Sequence, residues 1–155
     1  MSSVEAFTPS DGSWVDVSAV SVPRYAHAAA WAHGFLYIAG GMGNRAIGDD
    51  GADEDDGDAD NLHHVQLRSC ERFNPATRLW SPIADLPAPR ANLSLACIRG
   101  ILYAFGGAQH AGAAGDSETP PWRYVEADNQ WLEGPPRPAD SAVVTFSAGS
   151  SWAAI

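Results

Sequence analysis

Three eight-residue segments decide the fold of this chain: FTPSDGSW at residues 7–14, FNPATRLW at residues 73–80 and YVEADNQW at residues 124–131. Each begins with an aromatic residue and ends with a tryptophan seven positions later. In the second segment, residues 74–77 are rich in turn-forming residues and lie between two short runs that suit β-strands. The chain therefore contains a repeated strand–turn–strand unit. The third copy matches the other two less well in sequence.

The repeat extends well beyond these segments. Residues 7–41, shifted by 66 positions, align with residues 73–107 without a gap, and eleven of the 35 positions are identical. The tryptophans are 66 and then 51 residues apart, so one unit has about 50 residues and the first carries an insertion. A period of this size is typical of propellers and other repeat folds.

Each unit predicts four short strands and an all-β fold. Apolar runs separated by tight turns predict two hairpins, and residues 26–32 are assigned to a strand because they align with residues 92–98, despite their helix propensity. The predicted strands are residues 28–31, 35–39, 71–73 and 79–82 in the first unit and 93–98 and 101–105 in the second.

Four short strands in about 50 residues describe a propeller blade, and this pattern resembles the Kelch repeat. The segment SCERFNPATRLW at residues 69–80 is similar to the repeats of the Kelch-like BTB proteins in particular. Paired glycines let a strand end turn without a Cβ, while a large aromatic residue and a tryptophan fill the wedge between blades. The signature residues are Gly40, Gly41, Phe73, Trp80, Gly106, Gly107, Tyr124 and Trp131.

The resemblance predicts a partial Kelch-type β-propeller with two near-complete four-stranded blades and a half blade at each end. Residues 1–21 would end a preceding blade, 22–82 form a blade with an acidic insertion at 42–68, 83–134 form a second blade, and 135–155 start a third, truncated one. Propellers close with four to eight blades. We therefore expect a fragment of a longer protein, a truncated gene product without independent function, or a protomer that completes its ring by self-association.

Composition excludes several function classes. The nine basic residues are all arginine, against 19 acidic residues, and the formal net charge is −10. This balance argues against nucleic acid as a partner, and the absence of lysine removes Walker-type phosphate loops and Schiff-base chemistry. The sequence shows no targeting or membrane segment, and its two cysteines suit a reduced compartment, so we expect a cytoplasmic protein without a membrane partner.

The acidic insertion contains DDGADEDDGDAD at residues 49–60, which carries −8 of the net charge. A calcium loop starting at Asp56 fails, because its sixth position is Asn61 and its twelfth is Leu67. We interpret the tract as a solvated acidic loop, with attraction of cations or a basic partner as the functional alternative. The neighbouring histidines, His63 and His64, would point to opposite faces of an extended strand, and we predict no metal site or cofactor.

No serine lies in a nucleophile elbow, and no histidine and aspartate accompany a candidate nucleophile, so we predict that the chain is not an enzyme. The copper enzymes of the galactose-oxidase type also use Kelch propellers, so the resemblance leaves a fragment of such an enzyme, or of a sugar-binding propeller, as the alternative. Their copper site needs tyrosines and histidines gathered at the propeller axis. The tyrosines here are Tyr25, Tyr37, Tyr103 and Tyr124.

One rim of the propeller is the predicted binding surface. Antiparallel strands bring the connections after the second and fourth strands to the same rim, and these include the variable stretches 42–68 and 108–121. Binding residues commonly lie on loops held by a rigid scaffold, and the resemblance implies that partner proteins bind at this rim. The candidate partner-binding residues are Arg24, Tyr25, His27, Arg90, Asn92, Asp53, Glu54, Asp55 and His110. Arg24 and Arg90 are also candidates for ordering contacts between blades.

The function predicted from the sequence is a non-catalytic protein–protein interaction module of the Kelch type. The resemblance implies two roles for such modules, which are substrate recognition for a cullin-based ubiquitin ligase and actin binding.

Overall fold

A computed structural model describes residues 3–44, 64–108 and 121–134 of the chain. Within these ranges the secondary structure is almost entirely β, with one short 3₁₀ helix at Glu126–Asp128. The strands are β1 (Val4–Thr8), β2 (Ser13–Val17), β3 (Ala28–Ala32), β4 (Phe35–Ala39), β5 (Met42–Asn44), β6 (His64–Gln66), β7 (Cys70–Asn74), β8 (Leu79–Ile83), β9 (Ser94–Ile98), β10 (Ile101–Phe105), β11 (Trp122–Val125) and β12 (Gln130–Glu133). The six strands predicted from the sequence are confirmed to within one residue at each end.

The strands form two four-stranded antiparallel sheets and two hairpins. The first blade is β3-β4-β7-β8 and the second is β9-β10-β11-β12, each in chain order, while β1 pairs with β2 and β5 pairs with β6. The structure thus confirms two four-stranded blades with a half blade at the amino-terminal side. The predicted third blade at residues 135–155 lies outside the described residues.

The tight turns between the first two strands of each blade have the same backbone conformation. His33 and Gly34 have φ values of 50° and 81°, and Arg99 and Gly100 have 52° and 76°. Two successive residues with positive φ are typical of the type I′ turn, whose twist matches that of the paired strands. The local sequence therefore sets the hairpin that begins each blade.

The aromatic–tryptophan pairs have nearly the same geometry in all three copies. The ring centroids are 4.9 Å apart for Phe7 and Trp14, 5.2 Å for Phe73 and Trp80, and 5.1 Å for Tyr124 and Trp131. Trp80 Nε1 donates to the carbonyl of Ser18 at 2.8 Å, and Trp131 Nε1 donates to the carbonyl of Ala84 at 2.9 Å. Each tryptophan thereby ties its outermost strand to the connection that leaves the preceding blade.

The core lies between the two blades. The first blade contributes a face of small residues that includes Ala28, Ala30 and Ala39, and the second contributes large buried side chains that include Leu102 and Trp122. Small residues on one blade leave room for the aromatic side chains of the next, so the two sheets pack closely. This packing fixes the positions of the loops at the rims.

Candidate interaction surface

The strand register brings two sets of connections to one rim. Ala28 pairs with Ala39, Ala39 with Cys70, and Cys70 with Ile83, so the first blade has the start of β3, the end of β4, the start of β7 and the end of β8 at one edge. We call this edge the loop rim. Its described residues are 22–27, 40–44, 64–69, 84–93, 106–108, 121 and 134. The opposite edge, with residues 33–34, 75–78, 99–100 and 126–129, is called the turn rim.

Arg24 is buried beneath the loop rim, where its side chain binds residues of several neighbouring segments. Its side chain is 1% exposed, and Nη2 lies 3.1 Å from the Glu71 carboxylate, which is 4% exposed. Its Nη1 donates to the carbonyls of Gly40 and Ser69 at 3.0 and 2.8 Å, and Nη2 also donates to Ser69 Oγ. Burial lowers the pKa of the guanidinium, and the charge of Glu71 counteracts that shift. One side chain therefore joins the approach to β3 to the connection between β4 and β7.

Arg90 has the equivalent place in the second blade. It is 1% exposed, and Nη1 donates to the carbonyl of Gly106 at 2.8 Å, as Arg24 does to Gly40. Trp122 stands where the first blade has Glu71, and the guanidinium of Arg90 lies over its ring at 3.8 Å. A cation–π contact thus takes the place of an ion pair.

The burial of these two arginines corrects the predicted binding set. Arg24 and Arg90 are 9% and 1% exposed, so a partner at the loop rim has almost no access to either side chain. Both donate to carbonyls of the glycine pairs instead. The described side-chain contacts of both arginines lie within their own blade, those of Arg24 with Gly40, Ser69 and Glu71 and those of Arg90 with Gly106 and Trp122.

Gly41, the second glycine of the first pair, is required by close backbone contacts at the loop rim. Gly41 has a φ of 98°, and a Cβ at this position would lie 2.6 Å from the carbonyl oxygen of Tyr25. Tyr25 and Met42 exchange two backbone hydrogen bonds of 2.9 and 2.7 Å. These hydrogen bonds hold Tyr25 beside Met42, the first residue of β5.

Tyr25 is the large aromatic side chain that the loop rim presents to solvent. It is 49% exposed, and its ring meets the ring of His64 edge to face with centroids 5.6 Å apart. His64 is itself exposed and pairs with Asn44 across the β5–β6 hairpin. Sequence reasoning considered His64 only as a metal ligand, because its contact with Tyr25 depends on a hairpin that was not predicted.

The β5–β6 hairpin also fixes where the insertion leaves the blade. Residues 45–63 connect Asn44 to His64, which are register partners at the loop rim. Asp53, Glu54 and Asp55 belong to this connection and lie outside the described residues, as does His110 in the second variable stretch. The connection therefore starts after Asn44 and ends before His64, whose ring contacts Tyr25.

His27 and Asn92 complete the described part of the surface, and both are exposed. Partial loss of solvation of the ring and, secondarily, the positive charge of Arg24 lower the pKa of His27, which favours its neutral form. Asn92 has a φ of 56°, close to the 53° of its repeat equivalent Ala26, and its N–H donates to the carbonyl of Ala26 at 2.9 Å. This hydrogen bond joins the loop rims of the two blades.

The turn rim carries an ionic cluster that sequence reasoning missed. Glu126 of the second blade lies 2.8 Å from His33 Nδ1 and 3.0 Å from Arg72 Nη1 of the first blade. His33 Nε2 also lies 2.6 Å from the carbonyl of Gly100. These contacts join residues far apart in sequence, and no local motif signals them.

Tyr37, Tyr124 and Cys70 have buried side chains that pack in the core. Tyr37 and Tyr124 pack between the blades with ring centroids 5.9 Å apart, and burial raises the pKa of Tyr124 to about 12. Burial also raises the pKa of the Cys70 thiol to about 12, so its reactive thiolate is scarce at neutral pH. Residues 3–44, 64–108 and 121–134 contain no group of three or more His, Cys, Asp or Glu side chains suited to a metal ion.

In the same described ranges, no helix has the length and hydrophobicity that crossing a membrane requires.

Kelch-like proteins are among the sequence relatives of the chain. The chain is 32% identical to Kelch-like ECH-associated protein 1B of Danio rerio over 107 residues, which are 69% of this chain and 16% of that protein. It is 31% identical to Kelch-like protein 36 of Mus musculus over 126 residues, 80% of this chain and 18% of the relative. With human Kelch-like protein 13 the identity is 29% over 99 residues, 64% and 13% of the two chains. No family model matches the chain.

A solved structure has a similar fold. The structure of YjhT, a Kelch propeller, matches with a TM-score of 0.63 and 17% sequence identity, over 83% of this chain and 42% of that one. At this identity the match establishes the fold alone. The aligned region spans less than a fifth of each of the three curated relatives, so the match covers only a part of each.

Proposed function

The chain belongs to the Kelch-repeat β-propeller proteins and resembles the propeller part of the Kelch-like proteins, and on that premise we propose that it is a cytoplasmic, non-catalytic protein-interaction module. In this proposal the loop rim binds the partner protein. The surface that binds it consists of Tyr25, His27, His64 and Asn92, together with the two variable connections at residues 45–63 and 109–120.

The observation that carries the proposal is the exposure of Tyr25 on a rigid framework. Its backbone is fixed by two hydrogen bonds to Met42, and the buried Arg24 holds the neighbouring loops from below. Tyrosine is favoured at protein interfaces because its ring offers a large contact area at little cost in side-chain entropy. A rigid, half-exposed aromatic residue between variable loops is a suitable anchor for a partner protein.

The charge of the insertion favours a basic partner segment. The tract at residues 49–60 carries −8, and its connection is anchored at the register pair Asn44 and His64 next to Tyr25. Charge of one sign beside a binding surface raises the association rate of a partner of opposite sign, and salt screens this effect. We expect an arginine- or lysine-rich segment of the partner to bind beside the acidic tract.

The finer part of the proposal is substrate recognition for a cullin-based ubiquitin ligase. It is supported by the resemblance of residues 69–80 to Kelch-like repeats and by the Kelch-like relatives. In this role the partner at the loop rim would be the protein that is to be ubiquitinated.

The test compares partner capture by the wild-type chain with capture by variants of each rim. Tyr25→Ala and Asn92→Ala remove exposed loop-rim side chains, and alanine at position 92 copies what the first blade has at position 26. The matched control is Leu79→Ala, which removes another large side chain, 60% exposed, from the turn-rim end of β8. Partners captured with specific enrichment are identified by quantitative mass spectrometry.

The expected result is that the enriched partners are lost from both loop-rim variants and retained by the control. A second pair of variants replaces residues 45–63 and 109–120 with short Gly/Ser linkers, which leaves β5 and β6 in place. Capture of the same partners by all of these variants, each with a wild-type circular dichroism spectrum, would refute the assignment to the loop rim.

A further inference from the structure

Tyr25 and His64 form an exposed pair of perpendicular rings at the loop rim. Their ring centroids are 5.6 Å apart, and the planes of the rings meet at 89°. Tyr25 is 49% exposed, and His64 is exposed as well. Two rings that stand at right angles and both reach solvent leave a corner where a flat group can stack on one ring beside the other. We call this pair the aromatic corner.

The backbone register places the aromatic corner on one face of the β5–β6 hairpin. Tyr25 pairs with Met42 in an isolated β-bridge, and Asn44 pairs with His64 inside the hairpin. Register partners, and residues two positions apart on a strand, have their side chains on the same face. Tyr25, Met42, Asn44 and His64 therefore share one face. Asn44 is exposed, so its side chain brings an amide oxygen close to the corner.

Backbone hydrogen bonds hold the aromatic corner in place. The N–H of Tyr25 donates to the carbonyl of Met42 at 2.9 Å, and the N–H of Met42 donates to the carbonyl of Tyr25 at 2.7 Å. The N–H of Leu67, which follows β6, donates to the carbonyl of Gly41 at 2.8 Å. The segments that carry the two rings are thus fixed before a partner binds, which lowers the entropy that binding costs.

The charges of the described loop rim leave room for a cation. Among its described residues no arginine is exposed without an acidic partner, since Arg24 and Arg90 are buried and Arg68 lies 3.4 Å from the Asp85 carboxylate. Partial loss of solvation and, secondarily, the charge of Arg24 lower the pKa of His27 and favour its neutral form. A cationic side chain therefore meets little uncompensated positive charge here.

The molecule itself stacks guanidinium groups on aromatic rings in both blades. Arg72 Cζ lies 4.6 Å from the ring centroid of Phe35, and Arg90 Cζ lies 3.8 Å from that of Trp122. A guanidinium is flat and weakly hydrated, so it stacks on a ring while its N–H groups donate to oxygens around it. A lysine ammonium is a compact, strongly hydrated charge without a flat face. The aromatic corner is therefore better suited to arginine than to lysine.

We propose that the aromatic corner binds an arginine side chain of the partner protein, with the guanidinium stacked on the ring of Tyr25 beside His64 and donating to the side-chain oxygen of Asn44. This inference rests on the proposed function, in which the loop rim binds a basic segment of a partner. It adds which basic residue the rim selects and where that residue binds. Long-range attraction by the acidic tract acts on arginine and lysine alike, whereas stacking distinguishes them.

The first test compares two synthetic peptides of equal charge on the full 155-residue chain. One alternates arginine with glycine, the other has lysine in place of every arginine, and both have blocked ends and a fluorescent label. Fluorescence anisotropy gives the dissociation constants. We expect the arginine peptide to bind roughly 5-fold more tightly or better. Equal dissociation constants, or no binding of the arginine peptide, would overturn the proposal.

Ring-keeping and ring-removing variants test the site itself. Tyr25→Leu and His64→Leu should each reduce the preference for arginine, whereas Tyr25→Phe and His64→Phe keep a ring and should retain it. The matched control is Trp14→Leu, which removes an aromatic side chain, 62% exposed, from β2 outside the loop rim. Each variant is first shown to have the wild-type circular dichroism spectrum. A preference that survives Tyr25→Leu, or that Trp14→Leu removes as fully, would contradict the assignment.

High salt separates stacking from charge attraction. Salt screens the charges, so both peptides should bind more weakly at high salt, but the ratio of their dissociation constants should persist. A ratio that falls to one would assign the preference to carboxylates, which bind a guanidinium through two hydrogen bonds, and would overturn the aromatic corner.

Partner capture from cells distinguishes a failure of this inference from a failure of the proposed function. We expect enriched partners to be lost from Tyr25→Leu and retained by Tyr25→Phe. Partners that are lost from Asn92→Ala but retained by both Tyr25→Leu and His64→Leu would overturn the aromatic corner and leave the loop rim as the binding surface. Partners retained by every loop-rim variant would refute the loop rim, and the aromatic corner with it.

Discussion

The buried ion pair between Arg24 and Glu71 offers the sharpest test of how the loop rim is built. Arg24→Met replaces the guanidinium with an unbranched apolar side chain and so removes the charge. The Glu71 carboxylate, which is 4% exposed, then lacks its cation. The carbonyls of Gly40 and Ser69 lose their donor as well. Removing one partner of a buried pair costs about 3–5 kcal/mol of unfolding free energy, which corresponds to a fall in Tm of about 10 °C in a chain of this size.

The matched control is the exposed pair Arg68–Asp85. Arg68 Nε lies 3.4 Å from the Asp85 carboxylate, and the two side chains are 54% and 49% exposed. Solvent screens such a pair, so Arg68→Met should cost at most about 1 kcal/mol. The two substitutions make the same chemical change, one at a buried arginine with several hydrogen bonds and one at an exposed arginine in a solvent-screened ion pair.

The double variant tests whether the unpaired Glu71 carboxylate causes the loss of stability. Arg24→Met combined with Glu71→Leu removes both charges and should recover most of the loss, because the unpaired carboxylate causes the largest part of it. Urea denaturation followed by circular dichroism measures all four proteins. An Arg24→Met loss no larger than the Arg68→Met loss, or a double variant as unstable as the single one, would refute the reasoning.

Three other predictions follow from single contacts. Gly41→Ala should destabilise the chain by at least about 2 kcal/mol more than Gly100→Ala in urea denaturation, because both have positive φ but only at position 41 does a Cβ meet backbone, at 2.6 Å. Cys97 should react with a maleimide at pH 8 in the native state while Cys70, whose burial raises the thiol pKa to about 12, reacts only after unfolding; equal labelling rates by mass spectrometry would contradict this. Glu126→Ala should cost about 1 kcal/mol at low salt and less at 1 M salt, and an effect independent of salt would argue against its ionic role between the blades.

The repeat made the blades predictable from the sequence. A strand pattern seen once is ambiguous between helix and strand, as at residues 26–32, but a gapless second copy removes that ambiguity. The aromatic residue and tryptophan at a fixed spacing of seven also located the two outer strands of each copy. Their paired rings are 4.9–5.2 Å apart in all three copies.

The candidate surface was less predictable because it depends on contacts between distant segments. From the sequence, Arg24 is a candidate both for partner binding and for ordering blade contacts, and its partners Ser69 and Glu71 are 45 and 47 residues away. His64 meets Tyr25 only because β5 and β6 form a hairpin below the insertion. Glu126 reaches His33 only because the blades pack face to face. No local sequence motif predicts any of these contacts.

Photo-cross-linking from position 25 tests the central claim most directly, which is that a partner protein binds at the loop rim. A photoreactive phenylalanine derivative replaces Tyr25 in one variant and Leu79, at the turn-rim end of β8, in a second. Both are illuminated in cells and the cross-linked proteins are identified by mass spectrometry. The account predicts specific partner adducts from position 25 that are absent from position 79. Adducts of the same partners from position 79 and none from position 25 would contradict it.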